Sequence, residues 1–251
     1  MLIMGILNVT PDSFADGGRH NDFESAVARG LEMIAEGVDI IDIGGESTRP
    51  GADRVSETEE LERTIPVITE LAKHGARMSI DTMRASTAEA SIKAGASIIN
   101  DVSGGLADPD MLQTAARLQV PYIAMHWRGQ SRDMNSKAIY NDVVVDVISE
   151  LQERITAALD AGIEVGNLII DPGLGFAKDA EHNWEIIDSI DSFVDLGYPV
   201  LVGASRKRFL GGDSPDEREQ ATIALTKRLA TSGVWAVRVH SVKPHKEVLE
   251  Q

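Results

Sequence analysis

Eight short apolar or β-branched runs, at 2–8, 38–43, 77–81, 97–100, 121–126, 167–171, 199–203 and 234–239, all close on polar residues. The closing groups are Asn8, Asp42 with Glu46, Asp81, Asn100 with Asp101, His126, Asp171, Ser205 with Lys207, and Arg238 with His240. Any one of them reads equally well as a strand-end turn or a helix cap. Random surface polarity would mark both ends of the runs, whereas these groups gather at the carboxyl ends. In a closed parallel barrel those ends meet at one rim, where active sites of that architecture are built.

Stretches of helical period lie between most of the runs. In 22–36, Phe23, Val27, Leu31 and Ile34 share a face, with Asn21 placed to cap the start and Gly37 the end. In 56–74, Ser56 and Glu59 form a capping-box pattern, Leu61, Ile65 and Ile68 make the stripe, and Pro66 is expected to bend the helix. Segments 84–94, 109–119, 141–161, 180–196, 216–231 and a short 243–250 read as further helices. Strands fed by such helices pair in parallel through right-handed crossovers. The chain is therefore expected to be one α/β domain over 1–251, a (β/α)8 TIM barrel, whose usual size is about 250 residues. A doubly wound sheet is the alternative that pattern alone leaves open.

Composition narrows the function. There is no cysteine, which excludes disulfides, thiolate metal sites and cysteine nucleophiles. No run approaches 18 apolar residues, so no membrane partner and a soluble, cytoplasmic protein are expected. The net charge of −16 argues against nucleic acid as a partner. Against that acidity, Arg206, Lys207 and Arg208 after the seventh run, with Arg238 and His240 closing the eighth, concentrate positive charge suited to an anion. Asp81, Asn100 and Asp171, directed from three strands, match the amino, ring N–H and carbonyl groups on the edge of a fused pyrimidine. An internal salt-bridge layer, such as Asp171 with Lys207, is the structural alternative. Loop 8–19, carrying Phe14, reads as a lid, and loop 44–51 offers Thr48 and Arg49 as donors. No nucleophile–base–acid triad and no zinc spacing can be read.

The blocks MGILNVTPDSFADGG (4–18), DIGGESTRPGA (42–52), SIDT (79–82), INDVSGG (99–105), DPGLGFAK (171–178), LVGASRKRFLG (201–211) and VRVH (237–240) occur in order along nearly the whole chain. Together they resemble the signature blocks of dihydropteroate synthases, and MHWRG (125–129) with Met134 and Asn135 resembles actinobacterial members. The resemblance implies a transferase joining 6-hydroxymethyl-7,8-dihydropterin diphosphate to 4-aminobenzoate, with release of pyrophosphate. It implies Mg2+ as cofactor with Asn8 as ligand. Asp81, Asn100, Asp171 and Lys207 correspond to the pterin set, and Arg238 and His240 to the diphosphate pair. Arg49, Pro50, Phe176 and Ser205 correspond to aminobenzoate surroundings, Thr48 to a substrate contact at the second loop, Met125 to a further substrate contact, and Phe14 and Asp16 to mobile-loop residues. Lys207, Arg238, His240 and Asp81 are the implied catalytic groups.

Many family members carry Asp directly after the motif's His, where this chain has Ser241. That departure puts the support of His240 in question. A homodimer is implied by the resemblance alone. Two rivals are a pterin-binding methyltransferase module and a non-catalytic paralogue. The first has no need of ESTRPG or SRKRF, and the second is expected to have degraded them; both are intact here.

Overall fold

The computed structural model describes residues 1–10, 18–46, 54–130 and 134–250, leaving out also the side chains of 18–22 and 135. In chain order the elements are β1 (Leu2–Asn8), α1 (Gly18–Ala35), β2 (Ile40–Gly44), α2 (Glu57–Ala72), β3 (Met78–Asp81), α3 (Ala85–Ala94), β4 (Ile98–Asp101), α4 (Met111–Leu118) and β5 (Tyr122–Met125). They continue as α5 (Val143–Asp160), β6 (Leu168–Asp171), α6 (Ala180–Asp188), α7 (Ile190–Val194), β7 (Leu201–Val202), α8 (Pro215–Leu229), β8 (Ala236–Val239) and α9 (Lys243–Leu249). The strands form one eight-stranded sheet in the order β6-β5-β4-β3-β2-β1-β8-β7, and the pairings within it are parallel. A parallel bridge between Ile170 and Val200 joins β6 to the start of β7 and closes the ring. The architecture is a (β/α)8 barrel, and the doubly wound alternative is ruled out by that closure.

Alternation along each strand sorts side chains into two populations. Ile3, Leu7, Ile41, Ile43, Met78, Ile80, Ile99, Tyr122, Leu168, Ile170, Val202 and Val239 face outward into one core shared with the helices. Met4, Ile40, Ile98, Ile123, Ile169, Leu201 and Ala236 face inward and pack as a separate buried cluster, with Leu2 and Trp235 against it. The barrel is therefore plugged by an apolar layer. One inward step further up the strands stand Asp42, Asn100, Met125, Asp171 and Arg238, with Ser79 and Asp81 on β3. Register sets Asp42 beside Ser79, Asp81 beside Asn100, and Met125 beside Asp171.

Helix boundaries follow local chemistry, with some corrections. Ser56 Oγ accepts the Glu59 amide at 3.2 Å and caps α2 as its pattern indicates. The helix runs through Pro66, whose ring nitrogen cannot donate to the Glu62 carbonyl, because Val67, Ile68 and Leu71 bury its stripe on the barrel. Helix α1 begins at Gly18, ahead of Asn21, so Asn21 does not cap it, while Gly37 at φ 83° follows its end as expected. The single helix expected over 180–196 is two. Ser189, at φ −107° and ψ 21°, ends α6 and starts α7, and the turn lets Ile186, Ile187, Ile190 and Phe193 all reach the core.

Candidate active site

Asp42 is the hub of the polar layer, although only its place at a strand end is visible in the sequence. It is fully buried and accepts hydrogen bonds from Ser79 Oγ at 2.5 Å, Asn100 Nδ2 at 3.1 Å and Arg238 Nε at 2.6 Å. Arg238 Nη2 donates to Asp81 Oδ2, also at 2.6 Å. One guanidinium thus forks between two buried carboxylates, satisfying charges whose isolation in the barrel would be costly. An internal salt-bridge layer is present, but its partners are Arg238 with Asp42 and Asp81, not Lys207 with Asp171. Burial pushes the Asp81 carboxyl up to about 7, the guanidinium pulling against it and Asp42 adding to the rise. For Arg238 burial opposes the charge, yet Asp42 and Asp81 outweigh it and raise the pKa above the ordinary value.

Asp171, buried at the top of β6, accepts the Gly173 amide at 2.7 Å, and its pKa rises because burial outweighs that bond and the nearby cations. The loop after it bends back across the barrel mouth. A Cβ at Gly173, φ 68°, would sit 2.4 Å from the His126 carbonyl, and one at Gly175, φ 75°, would sit 2.8 Å from Lys207 Cδ. That close approach brings Lys207 Nζ to the Leu174 carbonyl and 4.7 Å over the Phe176 ring. Burial lowers the Lys207 pKa to about 8, Asp171 working against the shift and Arg238 with it. Phe176 joins Met83, Val102, Met125, Ala107 and Trp127 in an apolar cluster beside the carboxylates. Polar edge groups next to an apolar wall are the surroundings a flat, polar-edged heterocycle requires.

After β7 and β8, next to β6 in the ring, Ser205 Oγ lies 2.9 Å from His240 Nδ1 and accepts the His240 amide at 3.2 Å. A hydroxyl that donates to Nδ1 puts the ring proton on Nε2. Asn8 ends β1 on the same strand face as Met4, two steps above it, and is half-buried. The structure thus brings together Asp81, Asn100, Asp171, Met125, Phe176, Lys207, Arg238, Ser205 and His240. Thr48, Arg49, Pro50, Phe14 and Asp16 lie outside the described residues. The basic cluster expected over 206–208 is not one unit. Arg206 turns away to Glu219 and Ser241, Arg208 is exposed, and Lys207 is the member at the mouth.

Two networks escaped the sequence reading. At loop two, Arg84 Nη1 bonds both Glu46, at 2.9 Å, and Glu60, while Nη2 donates to the Val55 carbonyl at 2.6 Å. With Arg54 on Glu46 at 2.9 Å, these bonds tie Glu46 to Arg54 and Val55. Beneath Phe176, the ammonium of buried Lys178 reaches His126 Nδ1 at 2.8 Å and the Gly173 and Phe176 carbonyls at 3.1 Å each. His126 Nε2 meets Glu150 at 2.9 Å, and Glu150 is held in turn by Arg128. Burial drives Lys178 down to about 7 and His126 down to about 4. The Lys that ends DPGLGFAK was the signal for this network, but its partners are set by folding.

The model of the pterin binding enzymes matches residues 4–240. The dihydropteroate synthase of Mycobacterium leprae is 47% identical over 258 residues, covering 99% of this chain and 91% of the relative. The chain belongs to the dihydropteroate synthases. Among solved members of the family, the Xanthomonas albilineans enzyme with 4-aminobenzoic acid superposes with a TM-score of 0.93 at 43% identity, covering 99% of this chain and 90% of that one. The same organism's enzyme in complex with 7,8-dihydropteroate gives 0.89 at 40% identity, covering 99% and 91%. Family membership accounts for a barrel mouth in which carboxylates, an amide and cations face one another above an apolar plug.

Proposed function

We propose that this chain joins 6-hydroxymethyl-7,8-dihydropterin diphosphate to 4-aminobenzoate, giving 7,8-dihydropteroate and pyrophosphate in folate synthesis. The observation that carries the reading is the convergence of Asp81, Asn100 and Asp171 over the plug, beside the Met125–Phe176 wall. Carboxylates accept from the amino and ring N–H groups of a pterin edge, and the Asn100 amide serves a donor or an acceptor. Lys207, at the mouth beside Phe176, supplies an ammonium over the pterin. Arg238, its charge secured by Asp42 and Asp81, and His240 Nε2–H stabilise the diphosphate. The solved relatives with 4-aminobenzoic acid and in complex with 7,8-dihydropteroate support the substrate pair.

The reaction needs no covalent enzyme intermediate. The bond between the exocyclic methylene carbon and the diphosphate oxygen breaks, and the oxygen leaves with the electron pair. The aminobenzoate nitrogen supplies its lone pair to that carbon and releases a proton to pyrophosphate or water. What these residues contribute is fixed positive charge where the leaving oxygen becomes more negative, the kind of stabilisation whose single donors are worth about 3–4 kcal/mol. The same reading gives the aminobenzoate surroundings to Arg49, Pro50, Phe176 and Ser205, a further substrate contact to Thr48, and first-loop roles to Phe14 and Asp16. For Mg2+, the donor set fits an ion brought in on the substrate: among the described residues no cluster of three or more acidic, His or Cys groups could cage a metal. Asn8 offers one amide oxygen, which suits an ion that keeps most of its waters. When bound, Mg2+ neutralises phosphate charge.

The same reading takes 1–251 as one pterin-binding domain acting as a cytoplasmic homodimer. Among the described residues no helix is long and apolar enough to cross a membrane. The test is pyrophosphate release that requires the pterin diphosphate, 4-aminobenzoate and Mg2+ together. Release independent of aminobenzoate, or none with authentic substrates, overturns the assignment.

A further inference from the structure

Among the described residues, non-glycine residues at positive φ are Gln119, Ala177 and Arg206. Gln119 sits at the C-terminal end of α4, where such a conformation is common. Ala177 and Arg206 belong to the loops after β6 and β7, at the barrel mouth. Arg206, at φ 56°, lies between Ser205 and Lys207 and reverses the chain there, so that Ser205 meets His240 while Lys207 meets Leu174. An L side chain in the left-handed region is unfavourable and persists only where its surroundings over-determine it.

Those surroundings are specific. The Arg206 amide donates to Thr222 Oγ1 at 3.1 Å, and that hydroxyl is itself oriented by donating to the Arg218 carbonyl at 2.7 Å. The guanidinium donates through Nε to Glu219 Oε2 at 2.5 Å and through Nη2 to Ser241 Oγ at 2.7 Å. Glu219 and Thr222 lie on α8, and Ser241 directly follows His240. The neutral Ser241 hydroxyl accepts a bond but balances no charge; Glu219 does that. His245 on α9, anchored by Thr226 at 2.8 Å, stands 3.4 Å from the other Glu219 oxygen without a hydrogen bond to it.

We propose that Arg206 is a positioning residue: its ties to Glu219, Thr222 and Ser241 hold a left-handed bend that aims Lys207 and Ser205 into the site. Arg206 thereby acts through its neighbours and is not an anion ligand. The roles of Lys207 and Ser205 rest on the proposed function; the bend and its ties do not.

The test compares Arg206→Gly with Arg206→Ala. Glycine adopts the bend without penalty, whereas alanine loses the ties and keeps the penalty. Arg206→Ala is expected to lower kcat about tenfold below Arg206→Gly, because a penalty of this kind depopulates the competent loop by about that factor. Loss of an anion ligand, or of a merely structural contact, affects both variants alike, so equal kcat values overturn the proposal whether both are low or both are unchanged. Glu219→Gln covers the case in which the alanine variant does not fold. It is expected to lower kcat severalfold with Arg206 present and to have no effect in the Arg206→Gly background, whereas an equal effect in both backgrounds overturns the proposal. A readout without turnover is the rate at which an acetylating reagent modifies Lys207, followed by peptide mass spectrometry. That rate should change in Arg206→Ala and stay near wild type in Arg206→Gly, with Lys178 as the internal control; equal rates in the two variants count against the bend. Failure of pyrophosphate release in the unmutated protein speaks to the proposed function, while the labelling rates still decide the role of Arg206.

Discussion

Two adjacent layers of the barrel interior are built on the same strands and solve opposite problems. The lower one, Met4, Ile40, Ile98, Ile123, Ile169, Leu201 and Ala236, is apolar and closed. The upper one, two residues further along each strand, gathers Asp42, Asn100, Asp171 and Arg238 with Ser79 and Asp81. Burial stabilises the lower layer wherever shapes fit, so its members can be exchanged for apolar residues of similar volume at modest cost. Burial penalises the upper layer unless every charge is matched, so no member can be removed alone. Stability resides in one layer and chemistry in the next, and the rigid plug is what holds the charges in register.

The sharpest way to break that contrast is Arg238→Ala. Removing one partner of a buried pair typically costs about 3–5 kcal/mol, and here two carboxylates lose their cation at once. Turnover should vanish and the melting temperature should fall steeply in calorimetry. Lys207→Ala should separate the two effects. Its ammonium rests on a carbonyl and an aromatic ring, so the melting temperature should change little while kcat/KM drops by about 3–4 kcal/mol of barrier. Retained turnover in Lys207→Ala would discard that role.

Ile123→Ala is the converse, a lesion confined to the plug. Large-to-small core changes cost about 2–5 kcal/mol, so urea unfolding should shift while kcat per folded molecule stays near wild type. A large fall in kcat would mean that the layers are not separable. The smallest effect concerns pH. Lys207 is lowered to about 8 and must be an ammonium to act, so kcat/KM should fall about tenfold per pH unit above it, the acid side being governed separately by Asp81, which is raised to about 7. Lys207→Arg, which does not titrate in this range, should remove the alkaline limb; an unchanged limb assigns it to another group.

Much of the architecture was legible in the chain. Runs ending in Asn8, Asp81, Asn100, Asp171 and Arg238 announced eight parallel strands with chemistry at one end, and Ser56 capped α2 as its pattern requires. The two-part α6–α7 was not legible, because tertiary packing outweighs helix periodicity at Ser189, and nothing in the local pattern marks the start of α1 at Gly18. Within the site, Asp42 looked like one strand-end acid among several, and nothing local marks it as the acceptor of three side chains. Glu60, Arg84, Glu150 and Lys178 were passed over for the same reason: each reads as an ordinary surface charge until its partner is known.

Alternation of side chains and chain order are local properties, and with them the sequence by itself determined eight strands alternating with helices and the strand ends at which the polar groups stand. Pairing of charges is not local. Arg238 meets Asp42 across 196 residues and Asp81 across 157, and Arg206 finds Glu219 only because α8 packs beneath a left-handed bend. Strand register and barrel closure set those distances. Tertiary structure alone therefore decided that Arg238 is bound within a buried carboxylate pair, that Lys207 is the cation of its run at the mouth, and that Ser241 shares Arg206 with Glu219.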